Sequence, residues 1–159
     1  MKVCIVCVGK IKERYLADGI AEYCKRLGRF CTVEIAEVAD ERIPERPNEA
    51  DMARVLDAEA SRMEKRIPKG AYVVGLCVEG RACSSEAFAK ALAQAQVQGY
   101  STLAFLIGGS LGMASRIKGM CHLRLSLSAM TLPHQLARLV LLEQIYRCYK
   151  INAGEEYHK

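Results

Sequence analysis

LSLSAMTLPHQLARLVLLEQIYR, Leu125 to Arg147, is the stretch whose reading decides the fold. It opens as an alternating strand, with Leu125 and Leu127 apolar and Ser126 and Ser128 polar. A short loop, Ala129 to Leu132, leads to Pro133, and from there the pattern is helical. Proline is tolerated in a first helical turn because its missing N–H would be unpaired there anyway. Leu136, Leu139, Val140, Leu141, Leu142, Ile145, Tyr146 and Tyr149 then surround most of the helix rather than forming one stripe. A helix apolar nearly all round is buried. Either it is the centre of the core, or it packs on its core with one side and on a partner subunit with the other. On the second reading the protein is a homodimer with Pro133 to Tyr149 in the interface, and Leu141 and Leu142 are interfacial leucines. A strand, a loop of small residues and a buried helix together make a plausible ligand-binding corner of an α/β protein.

Immediately upstream, Thr102 to Ile107 reads as a strand that ends in Gly108-Gly109-Ser110-Leu111-Gly112. This cluster lacks the G-x-G-x-x-G spacing of a dinucleotide turn, and no G-x-x-x-x-G-K-[ST] occurs in the chain. Taken alone it reads equally well as a tight strand-to-helix turn. Paired with Ala129 to Leu132 it is more informative, because both loops follow apolar strands and would share the carboxyl edge of one sheet. Open α/β sheets bind ligands at that edge. Neither loop carries the lysine or arginine expected beside a phosphate chain, so a flat heteroaromatic ligand held by backbone groups fits better.

The remaining elements alternate. Strands are expected at Lys2 to Val8, Cys31 to Val38 and Ala71 to Val78. Helices are expected at Glu13 to Leu27, Ala50 to Arg66 and Glu86 to Gln98, with a short one at Ala114 to Met120. Gly80 to Ser85 is expected as a loop. In the helix from Ala50, Met52, Val55, Leu56 and Met63 face inward and the outer face is heavily charged. This order predicts an α/β fold, a mostly parallel sheet with helices on both faces, in a single domain spanning 1–159. The 159 residues suffice for one real core. No signal peptide or membrane span is expected, which predicts a cytoplasmic protein.

The net charge of +5 is uneven. Residues 1–29 hold seven Lys/Arg against three Asp/Glu, residues 30–66 six against ten, and residues 67–159 ten against five. Basic ends permit a polyanionic partner such as RNA. Of the eight cysteines, seven sit in apolar strand or helix patterns and read as small buried hydrophobes rather than disulfides or metal ligands. Cys4 and Cys7 have C-x-x-C spacing, but residues three apart on a strand point to opposite faces. No metal is expected.

FLIGGSLG, then LSLSAMTLPHQLARLVLLEQIYR, then EEYHK closely resembles the ribosomal RNA large subunit methyltransferase H family of the SPOUT superfamily. The start VCIVCVGKIKE, the segment AEYCKRLGRF and the loop EGRACSSE extend the likeness over the whole chain. The resemblance implies a homodimer with a C-terminal trefoil knot. It implies methyl transfer from S-adenosylmethionine to N3 of a pseudouridine in 23S ribosomal RNA, within the large subunit or assembled ribosome. It carries cofactor contacts to Leu76, Gly108, Leu127, Ser128, Ala129, Met130, Thr131 and Leu132. Leu111 departs from the polar residue the family carries there, and Arg81 stands in place of lysine.

The chemistry asks for alignment of the ring nitrogen with an electrophilic methyl and for loss of the imide proton. His134, Arg138, Tyr157 and His158 are the catalytic candidates, with Arg147 beside them. His134 also reads as a loop-fixing hydrogen-bonder, and Arg147 as a helix-surface partner of Glu143. Tyr157 to Lys159 is expected as a flap over the site, acting on the partner subunit. A related tRNA methyltransferase and a non-catalytic RNA-binding protein with a vestigial pocket are the alternatives.

Overall fold

A computed structural model describes residues 1–157. In chain order they form β1 (Lys2–Val8), α1 (Arg14–Leu27), β2 (Thr32–Val38), α2 (Glu49–Glu64) and β3 (Tyr72–Ala82). Then come α3 (Ser85–Val97), β4 (Thr102–Ile107), α4 (Ser115–Gly119), β5 (Leu123–Ser126) and α5 (His134–Asn152). The strands make a parallel sheet in the order β2-β1-β4-β3-β5. This is the expected α/β architecture.

The continuous apolar run of β1 follows from burial on both faces. Val3, Ile5 and Cys7 enter the core under α1, α3 and α5, whereas Cys4, Val6 and Val8 enter the core under α2 and α4. Cys4 and Cys7 therefore lie on opposite faces, and all eight cysteines are free. Burial pushes the Cys7 thiol up to about 11 and the Cys148 thiol up to about 12, which keeps both protonated and inert.

The apolar girth of α5 has a local cause, since it packs against both α1 and α3 over the sheet. Leu141, Leu142 and Ile145 are fully enclosed. Gly19 lets α1 approach so closely that a Cβ there would stand 3.1 Å from Leu139 Cδ1. Each leucine on the inner side removes apolar surface worth roughly 1.5–3 kcal/mol from water.

Three expectations are corrected. Leu141 and Leu142 are not available to an interface; they are enclosed in the chain's own core, and Leu136 is an exposed large apolar residue of α5. Pro133 is not in the first turn but is the N-cap, with extended ψ of 137°, and the helix starts at His134. Gly80 to Ala82 is not loop but the end of β3, because Arg81 and Ala82 pair with Leu125 and Ser126 of β5.

Candidate functional site

Three chain segments meet at the carboxyl edge of the sheet. The first leaves β4. Gly109 and Gly112 form an antiparallel bridge, closed by the Gly112 N–H donating to the Gly109 carbonyl at 3.0 Å. Gly112 has φ of +81°, a left-handed conformation that favours glycine. A Cβ on Gly108 would collide with the Gly112 carbonyl and stand 2.8 Å from Met113 Cγ. Gly108 is thus required by the turn itself, before any ligand is considered.

The second segment follows β5. The Ser126 hydroxyl donates to the Ser128 carbonyl, and the Ser128 hydroxyl accepts from the Met130 N–H, both at 3.0 Å. These are local turns of the kind serine makes with nearby backbone. The alternating serines of the opening stretch therefore shape the loop at 127–132.

The third segment is an excursion of β3. Leu125 pairs with both Leu76 and Arg81, so residues 77–80 bow out of the sheet. The strand returns at Gly80, where a Cβ would stand 2.8 Å from the Leu125 carbonyl carbon and 2.9 Å from that of Arg124. The excursion becomes a wall of the site.

Together these segments enclose a cleft of about 340 Å³. Leu76, Gly108, Leu127, Ser128, Met130, Thr131 and Leu132 line it; Ala129 belongs to the same loop but does not. Lys118 is the only lysine or arginine lining it among the described residues, and its ammonium is paired with Glu79. Apolar walls, backbone polar groups and no uncommitted cation suit a heteroaromatic ligand without phosphate.

The catalytic candidates are dispersed. His134, at the start of α5, lines the cleft. Burial, reinforced by Arg138, pushes its imidazole below the usual 6.5, so it is neutral at pH 7. Arg138 is 2% exposed, and its guanidinium donates to Glu37 Oε2 at 2.8 Å and to the Gly9 carbonyl at 3.0 Å. It ties α5 to the ends of β1 and β2 and does not line the cleft. Arg147 is bound to Glu143 and lies 4.8 Å from the Tyr157 ring centroid. Tyr157 also packs edge-on against Tyr146 at 5.0 Å. At 1.5 Å per residue, Tyr146 lies about 18 Å along α5 from His134, so Tyr157 is far from the cleft. His158 lies outside the described residues.

Sequence reasoning missed Glu59. It is 4% exposed, in the middle of α2's buried stripe between Val55 and Met63. Its Oε2 accepts from the Glu41 N–H at 3.0 Å, while Oε1 has no partner among the described residues. Glu59 lines a second cavity of about 180 Å³ that shares Gly109, Ser110 and His134 with the cleft. A signal existed: Val55, Glu59 and Met63 recur at four-residue spacing, which puts a carboxylate on the inner face.

A parallel sheet with helices on both faces and a backbone-built cleft at its carboxyl edge defines an α/β protein with a ligand site at the ends of its strands. The family model described as "Predicted SPOUT methyltransferase" matches residues 1–158, and the chain belongs to that family. Within it, the chain falls among the ribosomal RNA large subunit methyltransferase H proteins. It is 50% identical over 159 residues to that protein of Streptococcus uberis, covering 100% of both chains. It is 48% identical, with the same coverage, to that of Streptococcus equi subsp. zooepidemicus. Solved structures share the fold. One described as a probable methyltransferase from Bordetella pertussis has a TM-score of 0.58 at 15% identity, over 92% of this chain and 95% of that one. A Legionella pneumophila chain in complex with bound SAM has a TM-score of 0.50 at 13% identity, over 94% of this chain and 66% of that one.

Proposed function

We propose that this protein transfers a methyl group from S-adenosylmethionine to N3 of a pseudouridine in 23S ribosomal RNA, acting in the cytoplasm as a knotted homodimer. The observation that carries the reading is the cleft, assembled from the backbone of three segments and holding, among the described residues, no cation free for phosphate. S-adenosylmethionine fits such a site, since its adenosine is flat, partly apolar and phosphate-free. Leu76, Leu127 and Leu132 would flank the purine, and the loops at 108–112 and 127–132 offer backbone hydrogen bonds to its edge.

When bound, S-adenosylmethionine supplies an electrophilic sulfonium methyl. The protein's part is alignment and proton removal. Holding the acceptor nitrogen in line with the methyl is the larger contribution. The imide proton must also leave, and a positioned base contributes about 10²–10⁴-fold. His134 is suited to that role, being neutral and at the cleft. Arg138 is suited to hold the start of α5 in place instead, because its guanidinium is already committed.

Tyr157 and His158 act in trans in this reading. The position of Tyr157 far along α5 supports it, because a tail packed there serves a cleft only on another copy. Leu136 on α5 and Tyr15 at the start of α1 are exposed, at 36% and 72%, at the cleft end of two adjacent helices, and offer an apolar contact for a second copy.

The test is tritiated methyl transfer to naked 23S RNA, large subunits and whole ribosomes. Incorporation at a pseudouridine of 23S RNA in any arm is expected, and none in all three overturns the reading. Mixing a Gly108→Arg subunit with one lacking residues 157–159 tests sharing. Activity restored in verified heterodimers is expected, and heterodimers as inactive as both parents overturn it.

A further inference from the structure

We propose that the second cavity, with Glu59 as its acceptor, is the site for the amino-acid head of the methyl donor, binding its ammonium while Arg42 and Ser110 take its carboxylate. The inference rests on the cofactor reading above and adds a site to it.

Glu59 is the unusual group. A carboxylate buried in mid-helix with one oxygen unpartnered is expensive unless something meets it. Nothing among the described residues does. Its Oε1 faces the Gly109 side of the cavity, where a Cβ on that glycine would stand 3.0 Å away. The absent side chain leaves that space open. Burial, followed by Asp40 and Glu41, pushes the Glu59 carboxyl above its ordinary 4.5, opposed by the Glu41 N–H and Arg62. A cation delivered to Oε1 would reverse this.

The lining is complementary to a zwitterion. Glu59 and Asp40 are acceptors, and Arg42, Ser110 and His134 can donate. S-adenosylmethionine bears an ammonium and a carboxylate on one carbon, separated from adenosine by a flexible chain. The two cavities meet at Gly109, Ser110 and His134. A nucleoside in the larger cavity can therefore extend its tail over that rim into the smaller one. The sulfonium would then lie at the rim, beside His134.

The test is calorimetric binding of two nucleosides, S-adenosylhomocysteine, which has the amino-acid head, and 5′-methylthioadenosine, which lacks it. Glu59→Gln keeps an oxygen for the Glu41 N–H and removes only the charge. It is expected to weaken S-adenosylhomocysteine on the order of tenfold or more, as for a charged hydrogen bond. Its affinity for 5′-methylthioadenosine is expected to be unchanged. Equal weakening of both ligands, or of neither, overturns the site. The wild-type protein gives a check that needs no variant, since equal affinity for the two nucleosides also overturns it. If the wild type binds neither nucleoside, the cofactor reading falls with it, whereas equal binding of both leaves that reading standing.

Discussion

Arg138 of α5 donates to Glu37 at the end of β2 across 2.8 Å, joining residues 101 positions apart in sequence. The pair is lopsided, with Arg138 2% and Glu37 37% exposed. Removing the more exposed partner does more harm, because it strands a buried guanidinium. Glu37→Ala is expected to lose roughly 3 kcal/mol, and Arg138→Met only about 1, since the methionine fills the space and leaves a carboxylate that water can reach. Urea unfolding of the two variants checks the order, and the reverse order would place the burial penalty on Glu37.

The Gly108 turn makes a second prediction. A Cβ there meets the Gly112 carbonyl and Met113 rather than open cleft. Gly108→Ala is therefore expected to lose nucleoside binding nearly as completely as Gly108→Arg. Calorimetry with S-adenosylhomocysteine on both folded variants tells them apart. Alanine binding like wild type while arginine fails would mean the side chain points into the ligand's space.

Leu136 and Leu141 separate association from folding. Leu141 is enclosed in the subunit core, whereas Leu136 faces outward. Leu141→Glu buries an unpaired charge and is expected to prevent folding. Leu136→Glu is expected to give a folded monomer of unchanged far-ultraviolet circular dichroism. Sedimentation of Leu136→Glu as a dimer would move the interface elsewhere.

Glu59 predicts a trade between stability and binding. With its folded-state pKa raised, the native protein holds this proton more tightly than the unfolded chain. The group's contribution is therefore full below about 4.5 and is lost as pH rises through the folded value. Glu59→Gln escapes that loss. The variant is expected to be more stable than wild type at pH 7, with the advantage vanishing toward pH 4.5. Thermal unfolding across that range checks it, and a difference independent of pH would mean the carboxylate is not strained.

Gly19 sets the spacing of α1 and α5. Its Cβ position is 3.1 Å from Leu139 Cδ1. Gly19→Val is expected to destabilise by about 1–3 kcal/mol through overpacking, despite leaving a poor helix former behind. A double variant with Leu139→Ala should recover part of that loss in chemical denaturation, and no recovery would place the strain elsewhere.

The order of strands and helices was legible because burial on both sheet faces writes itself into unbroken apolar runs such as Lys2–Val8, and amphipathic periods mark α1 and α2. The two loops of the cleft were legible for a related reason, since glycine and serine clusters after apolar strands are local signals. Tertiary structure alone decided the rest. The excursion of β3 depends on Leu125 accepting two partners, and no local pattern in residues 77–82 encodes a partner's register. The apolar girth of α5 was visible, but whether α3 or a second subunit covered it rests on contacts between residues far apart in sequence. Arg138 read as a catalytic cation until Glu37 and the Gly9 carbonyl were brought to it. Glu59 read as one more charge of α2, although its four-residue spacing from Val55 and Met63 set it on the inner face. Only the packing of α2 on the sheet takes water away from it and leaves one oxygen without a partner.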